Sequence, residues 1–317
     1  MKKNSIKGLL HSYGTILAGM IIIGIFCILN PHAFMTFQNC INITRQISLL
    51  VIISLGATLV MSVEEFDLSV GSIASFGGLL AAKLALGGVP IPLSFLIPLV
   101  LALGIGLFNG FLITHFRVLS FITTLGISTV ISGLTYWLTN GASISVGLPQ
   151  NFKFFSAVSV GALPLLSVIM VTLVVLFWFV MEHMSFGRKL YAIGGNQTAS
   201  EAAGLKVNLN KNLAYALCAL LAAFTGVLMA SRIGSATPTS GDGLLLTSYA
   251  AVFLGKTMFK NGVPNIWGTF VGAAILGILA NGLTIMRAPT FLQDVLTGSI
   301  IVLAVILPKI SRRSRLA

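Results

Sequence analysis

Acidic side chains are nearly absent from this chain. Only seven aspartates and glutamates occur in 317 residues, and charged residues of both signs make up 8%. A soluble domain of this size carries charge on roughly a quarter of its residues, so a soluble globular protein is excluded. Cysteine is also scarce. Cys27, Cys40 and Cys218 have neither metal-ligand spacing nor an evident pairing, which removes a disulfide framework and a cysteine metal site. Cys27 and Cys218 lie in apolar runs, where cysteine behaves as a small hydrophobe, and Cys40 is expected to be exposed outside. The four histidines (His11, His32, His115 and His183) fall near the ends of apolar runs and do not cluster. No nucleophile–base pair emerges, so catalysis has no candidate residues and no metal is expected.

What is abundant is apolar. Hydrophobic residues make up 56% of the chain, and the mean hydropathy is +1.00. The net charge of +12 invites a nucleic-acid partner, but the basic residues are not gathered on one polar face. They sit at the ends of apolar runs, where membrane topology places them. The chain's surroundings are therefore expected to be membrane lipid, with no nucleic acid.

A bilayer core of about 30 Å takes about 20 mostly apolar residues per helix. Ten runs qualify: 14–30, 44–62, 68–86, 92–115, 119–138, 164–183, 212–231, 244–258, 265–286 and 290–308. The eighth is short, and the second and third nearly touch. The first run follows Lys2, Lys3 and Lys7 like a signal peptide, but lacks a small-x-small cleavage site before Asn30-Pro31 and reads as an uncleaved anchor. With the N-terminus inside, fourteen of the nineteen basic residues fall at inside ends and five outside. The expected fold is thus an all-α polytopic helix bundle of about ten spans with both termini cytoplasmic. Residues 1–13 form an inside tail, 14–308 the membrane domain and 309–317 a basic inside tail.

The two halves echo each other. Asn109-Gly110 in the fourth run matches Asn281-Gly282 in the ninth. Each pair follows a Val-Pro (Val89-Pro90, Val263-Pro264) and precedes a phenylalanine that opens the next run (Phe121, Phe291). Since those runs cross in opposite directions, the repeat is expected to be inverted, a common transporter architecture with its pathway at the repeat interface.

A near-motif is set aside. Ala250 to Thr257 ends in Gly-Lys-Thr like a phosphate-binding loop, but its first position is alanine and it lies in an apolar run. Lys256 is then the inside end of the eighth span, and any ATP-driven step needs a partner. The cluster Glu64-Glu65-Phe66-Asp67 lies between the second and third runs. Asp67 allows two readings. As a cap, its carboxylate satisfies free N–H groups where the next helix starts. As a pathway residue, it lines a transport route with Ser69 and Ser72, because ionisable groups at membrane depth mark such routes. Asn109, Asn281, Phe121, Thr123 and Thr124 are further pathway candidates. Asp294 in the tenth run is expected to face the bundle in a structural hydrogen bond.

The longest polar connection runs from 184 to 211 and carries Arg188, Lys189, Lys206 and Lys211. Gly194-Gly195 suits a tight turn, and Ala199 to Gly204 a short docking helix.

Three blocks give the chain a resemblance. Glu65-Phe66-Asp67-Leu68-Ser69-Val70-Gly71-Ser72, Ser120-Phe121-Ile122-Thr123-Thr124-Leu125-Gly126, and the loop elements Gly187-Arg188, Tyr191-Ala192-Ile193-Gly194-Gly195-Asn196, Ala199 and Gly204 resemble permease subunits of ATP-binding-cassette importers. The branch is that of ribose-, galactose-, arabinose-, xylose- and autoinducer-2-type importers. The resemblance implies a loop at 184–211, with Glu201 among its members, that couples to a cytoplasmic ATPase. It also implies an extracytoplasmic solute-binding protein, a second permease copy and location in the bacterial cytoplasmic membrane. This chain itself would need no cofactor, with ATP and Mg held by the partner. The chain departs from the family pattern at Ala199-Ser200-Glu201, Leu244 to Tyr249 and Gly255 to Phe259, which leaves the solute open. A sugar permease leads. A permease for another small polar solute, such as an autoinducer or nucleoside, and an ion-coupled secondary transporter using Asp67 or Asp294 are its rivals.

Overall fold

In hydrocarbon no water meets the backbone N–H and C=O groups, so apolar runs close their hydrogen bonds internally as helices. The computed structural model, which describes residues 3–259, 262–289, 291–300 and 302, follows that rule. Side chains are described from Thr15 onward, except that of Ser156.

Helix α1 spans Lys3–Leu29, and a short α2, Pro31–Phe34, leads into α3, Phe37–Met61. After a break come α4 (Val70–Leu86), α5 (Ile91–Phe116) and α6 (Ser120–Thr139). A loop then carries a 3-10 turn, the short α7 (Phe154–Ala157) and a two-residue antiparallel hairpin, Ser159–Val160 with Leu163–Pro164. It leads to α8, Leu165–His183. Two short helices follow, α9 (Ser185–Gly195) and α10 (Gln197–Ala202), then α11 (Val207–Ile233), α12 (Asp242–Lys256) and α13 (Ile266–Ile285). Residues 291–300 are helical too. The fold is an all-α bundle in which α3, α5, α6, α8, α11 and α13 are long and apolar enough to cross a membrane.

Among the described residues helix occupies each apolar run of the sequence, with two short cases. The eighth run became α12, of 15 residues, and the third α4, of 17. Helix α1 begins at Lys3, inside the segment expected as a tail. Of the tenth run 291–300 and 302 are described, and the basic tail 309–317 lies outside the described residues.

Burial sorts the helices. The most apolar windows of α3 and α11 are 78% and 72% buried, against 22% for α5 and 17% for α6. The first two form the centre and run antiparallel. Arg45, early in α3, lies beside Arg232 at the end of α11, while Glu65 beyond α3 pairs with Lys211 near the start of α11. They approach so closely that a Cβ on Gly56 would sit 3.0 Å from the Cys218 Cα. Small residues at such crossings let backbones meet, which is how helices associate where burial of apolar surface drives nothing.

The packing around this centre is two-fold in pattern. Helix α11 is flanked by α4 and α5, and α3 by α12 and α13. Helix α4 packs on α5 as α12 packs on α13, and α4 meets α12 directly. At that meeting Gly71 and Gly241 face each other, and a Cβ on either would run into the other's carbonyl. The echoed asparagines are both buried, each in a side-chain bond to an earlier element. Asn109 donates to Ser69 Oγ at 2.9 Å, and Asn281 exchanges two 3.1 Å amide bonds with Asn39.

Candidate functional site

Residues 62–69 interrupt the helical pattern between α3 and α4. Glu64 takes a positive φ of 59°, which turns the chain without a glycine. Buried non-helical backbone survives only when protein groups satisfy it, and here hydroxyls do so from three helices. From α6, Ser120 Oγ accepts the Phe66 N–H at 3.4 Å and Thr124 Oγ1 accepts the Leu68 N–H at 3.0 Å. From α11, the Tyr215 hydroxyl donates to the Phe66 carbonyl at 3.2 Å. From α12, Tyr249 grips Asp67 twice: its hydroxyl accepts the Asp67 N–H at 2.7 Å and donates to the Asp67 carbonyl at 3.1 Å.

The Asp67 side chain is fully buried. One oxygen accepts both the Ser69 N–H at 2.9 Å and the Ser69 hydroxyl at 2.5 Å. That carboxylate therefore closes an Asx turn onto Ser69, the residue from which α4 starts, and bonds none of the N–H groups of the first turn of α4. Its other oxygen has no conventional hydrogen bond and lies beside the Cys218 thiol. Ser69 Oγ accepts in turn from Asn109, while Ser72, also buried, bonds back to the Ser69 carbonyl at 2.9 Å. Asp67, Ser69, Ser72, Asn109 and Thr124 thus come together in one polar knot. Asn281 is elsewhere, with Asn39. Phe121 is exposed and Thr123 half-buried on α6, outside the knot.

The second polar region is the connection 184–211. Helix α9 is amphipathic: Gly187, Leu190 and Ile193 are buried, while Arg188 is exposed and donates to the His183 carbonyl at 2.9 Å. Tyr191 is half-buried, and burial beside the Glu182 carboxylate holds its phenol well above the usual value, so it stays neutral. Asn196 caps α10 by accepting the Ala199 N–H at 2.9 Å. Ala192, Gly195, Asn196, Ala199, Glu201 and Gly204 are exposed, leaving α10 with an open outer face. The turn expected at Gly194-Gly195 is not there, because both residues finish α9. The positive φ, 79°, belongs to Gly204. Gly194 has a different reason to be glycine: a Cβ there would overlap the Ser62 carbonyl, whereas Gly195 faces open space.

An ion pair joins the two regions. Lys211 Nζ, its side chain only 7% exposed, donates to Glu65 Oε1 at 2.5 Å and to Gln197 Oε1 at 2.9 Å. Gln197 donates to Glu201 at 2.9 Å. Above the pair opens a cavity of about 820 Å³ lined by Thr114, Arg117, Gln197 and Lys206 among others. Sequence reasoning missed Tyr215, Tyr249 and the Lys211–Glu65–Gln197 group. Of the residues that brace the break, Ser120 and Thr124, four residues apart on one face of α6, left a readable trace.

This geometry, a helical membrane bundle with an exposed short helix tied to a buried chain break, agrees with what the comparisons find. The profile of the family described as "branched-chain amino acid transport system / permease component" matches residues 39–305. The chain belongs to this permease family. It is 35% identical over 305 residues to the ribose import permease protein RbsC of Escherichia coli K12, covering 95% of this chain and 94% of that one. To RbsC of Bacillus subtilis 168 it is 35% identical over 309 residues, covering 97% and 96%. To the D-allose transport system permease protein AlsC of Escherichia coli K12 it is 33% identical over 299 residues, covering 94% and 91%. No solved structure matches it. The permease is thus a transport subunit rather than an enzyme, a multi-pass protein of the cytoplasmic membrane.

Proposed function

We propose that this permease carries a ribose-like monosaccharide into the cell as the membrane half of an ATP-binding-cassette importer. The relatives named for ribose and allose import support the solute class. The α9–α10 element carries the coupling reading: a short helix with an exposed outer face, anchored beneath by buried contacts, is built to receive another protein. In the complex, a cytoplasmic ATPase holds ATP and Mg and docks on Arg188, Ala192, Gly195, Asn196, Ala199, Glu201 and Gly204. An extracytoplasmic binding protein delivers the sugar, and a second permease copy completes the pathway.

Ten spans with both termini inside fit the helices that occupy the apolar runs among the described residues, the short α4 and α12 included. The inverted repeat draws support from the antiparallel centre and the matched flanking pairs α4–α5 and α12–α13. For Asp67 the bonds from Ser69, the residue from which α4 starts, favour a structural role at the helix entry. Thr123 and Phe121, on the part of α6 this chain leaves uncovered, are the pathway candidates best placed to meet a sugar.

Reconstitution into vesicles with ATPase and binding protein tests the reading. Labelled ribose or allose should enter only with ATP. Entry driven by an ion gradient through the purified chain alone would overturn it.

A further inference from the structure

We propose that Lys211, Glu65 and Gln197 are positioning residues that pass movement of the docking helix α10 to the break before α4, and thence to α6. The proposal rests on the reading of α9–α10 as the ATPase receiver.

Two contacts join that element to the break, and they act in opposite senses. At Gly194, α9 lies directly on the Ser62 carbonyl, with no room for even a methyl group, so an inward push on α9 moves the break. At Gln197, α10 is tied through Lys211 Nζ to Glu65, so an outward pull draws on the same segment. The charge pair is poorly explained by stability. A nearly buried ion pair roughly offsets its own desolvation, and neutral residues of similar volume are often as stable. Its best-attested use is to fix one arrangement against another, and a Lys–Glu bond has two discrete states, made or broken.

The break in turn is bonded to the first turns of α6. Ser120 holds Phe66 N–H and Thr124 holds Leu68 N–H, while the neighbouring Phe121 and Ile122 are exposed. A displacement at Glu65 therefore reaches the uncovered face of α6 through two backbone bonds. Such a chain of contacts is physically continuous, but coupling has to be measured rather than inferred from adjacency.

The measurement is solute imported per ATP hydrolysed, in vesicles holding the permease, its ATPase and its binding protein, with labelled ribose as probe. The double variant Glu65→Gln/Lys211→Met removes both charges together and leaves neither orphaned. It should still co-purify with the ATPase while import per ATP falls about tenfold or more, within the range usual for coupling between sites. The exchanged variant Glu65→Lys/Lys211→Glu should recover most of that loss, since Gln197 can present its amide N–H to a carboxylate. Gln197→Leu, on the exposed α10 where folding is not at risk, should lower the ratio severalfold by itself. An unchanged ratio in the double variant and in Gln197→Leu would overturn the proposal, as would an exchanged variant no better than the double one. Failure of the unaltered permease to co-purify with any ATPase would instead overturn the docking reading.

Discussion

The break at 62–69 and the connection at 184–211 are both polar interruptions in an apolar chain, yet they are used oppositely. In the first, N–H and carbonyl groups are met by Ser120, Thr124, Tyr215 and Tyr249, and Asp67 is fully buried. In the second, Asn196 and Ala199 spend one bond on capping α10 and leave its outer face bare. Polar groups that are fully bonded inside a membrane protein serve the fold. Polar groups left facing outward are the ones the proposed ATPase would meet. The difference lies in where the bonds go, not in residue type.

The largest effect that would sharpen this contrast is at Tyr249. Tyr249→Phe removes both bonds to Asp67 and leaves a buried N–H and carbonyl unmet, each costing about 1–3 kcal/mol. The detergent-solubilised protein should melt many degrees lower, and an unchanged melting temperature would refute the bracing role.

Next comes Gly194→Val, which drives a side chain into the Ser62 carbonyl and should cost about 1–3 kcal/mol, as overpacking does. Its neighbour breaks the comparison cleanly. Gly195→Val meets nothing within the chain, so stability should hold while ATP-dependent uptake is lost at the docking surface. Equal melting temperatures for the two variants would mean that the α9 contact is not structural.

Smaller still is Asp67. Replacement by alanine should cost about 0.5–2 kcal/mol, the usual value of a cap, and asparagine should largely restore it because it accepts the same bond. Normal protein levels with strongly reduced uptake for Asp67→Asn would show that the charge serves the cycle.

The last prediction carries no energy. Thr198→Cys and Lys206→Cys, both at exposed positions, should react only with reagents that reach the cytoplasm. A reporter active only outside should work when fused near Asn151 and be silent after Ala317.

Helices were legible because a membrane leaves the backbone only one way to satisfy itself, so runs such as 92–115 and 265–286 returned as α5 and α13 almost unchanged. The short exposed helix α10 was legible in part: it was expected over Ala199 to Gly204 and lies two residues earlier, at Gln197–Ala202, with Gly204 turning the chain just beyond it. The bracing was not. Tyr249 stands 182 residues from Asp67 along the chain, and nothing local distinguishes it from an interfacial tyrosine. Lys211 counted only as a topology charge, because its pairing with Glu65 depends on α3 and α11 running antiparallel. Gly194 and Gly195 look alike in sequence, and only the fold decides which of them touches backbone.

The amide pair Asn39–Asn281 has a consequence for how the chain is made. The partners are separated by 242 residues, so α3 is synthesised and inserted long before α13 exists. In that interval Asn39 keeps its 2.9 Å bond to the Phe34 carbonyl but lacks both amide bonds to Asn281, and a polar group left partly unmet on burial is costly. The start of α3 therefore stays incompletely bonded until the ninth apolar run arrives. Chains truncated before that point should be prime substrates for membrane quality-control proteases.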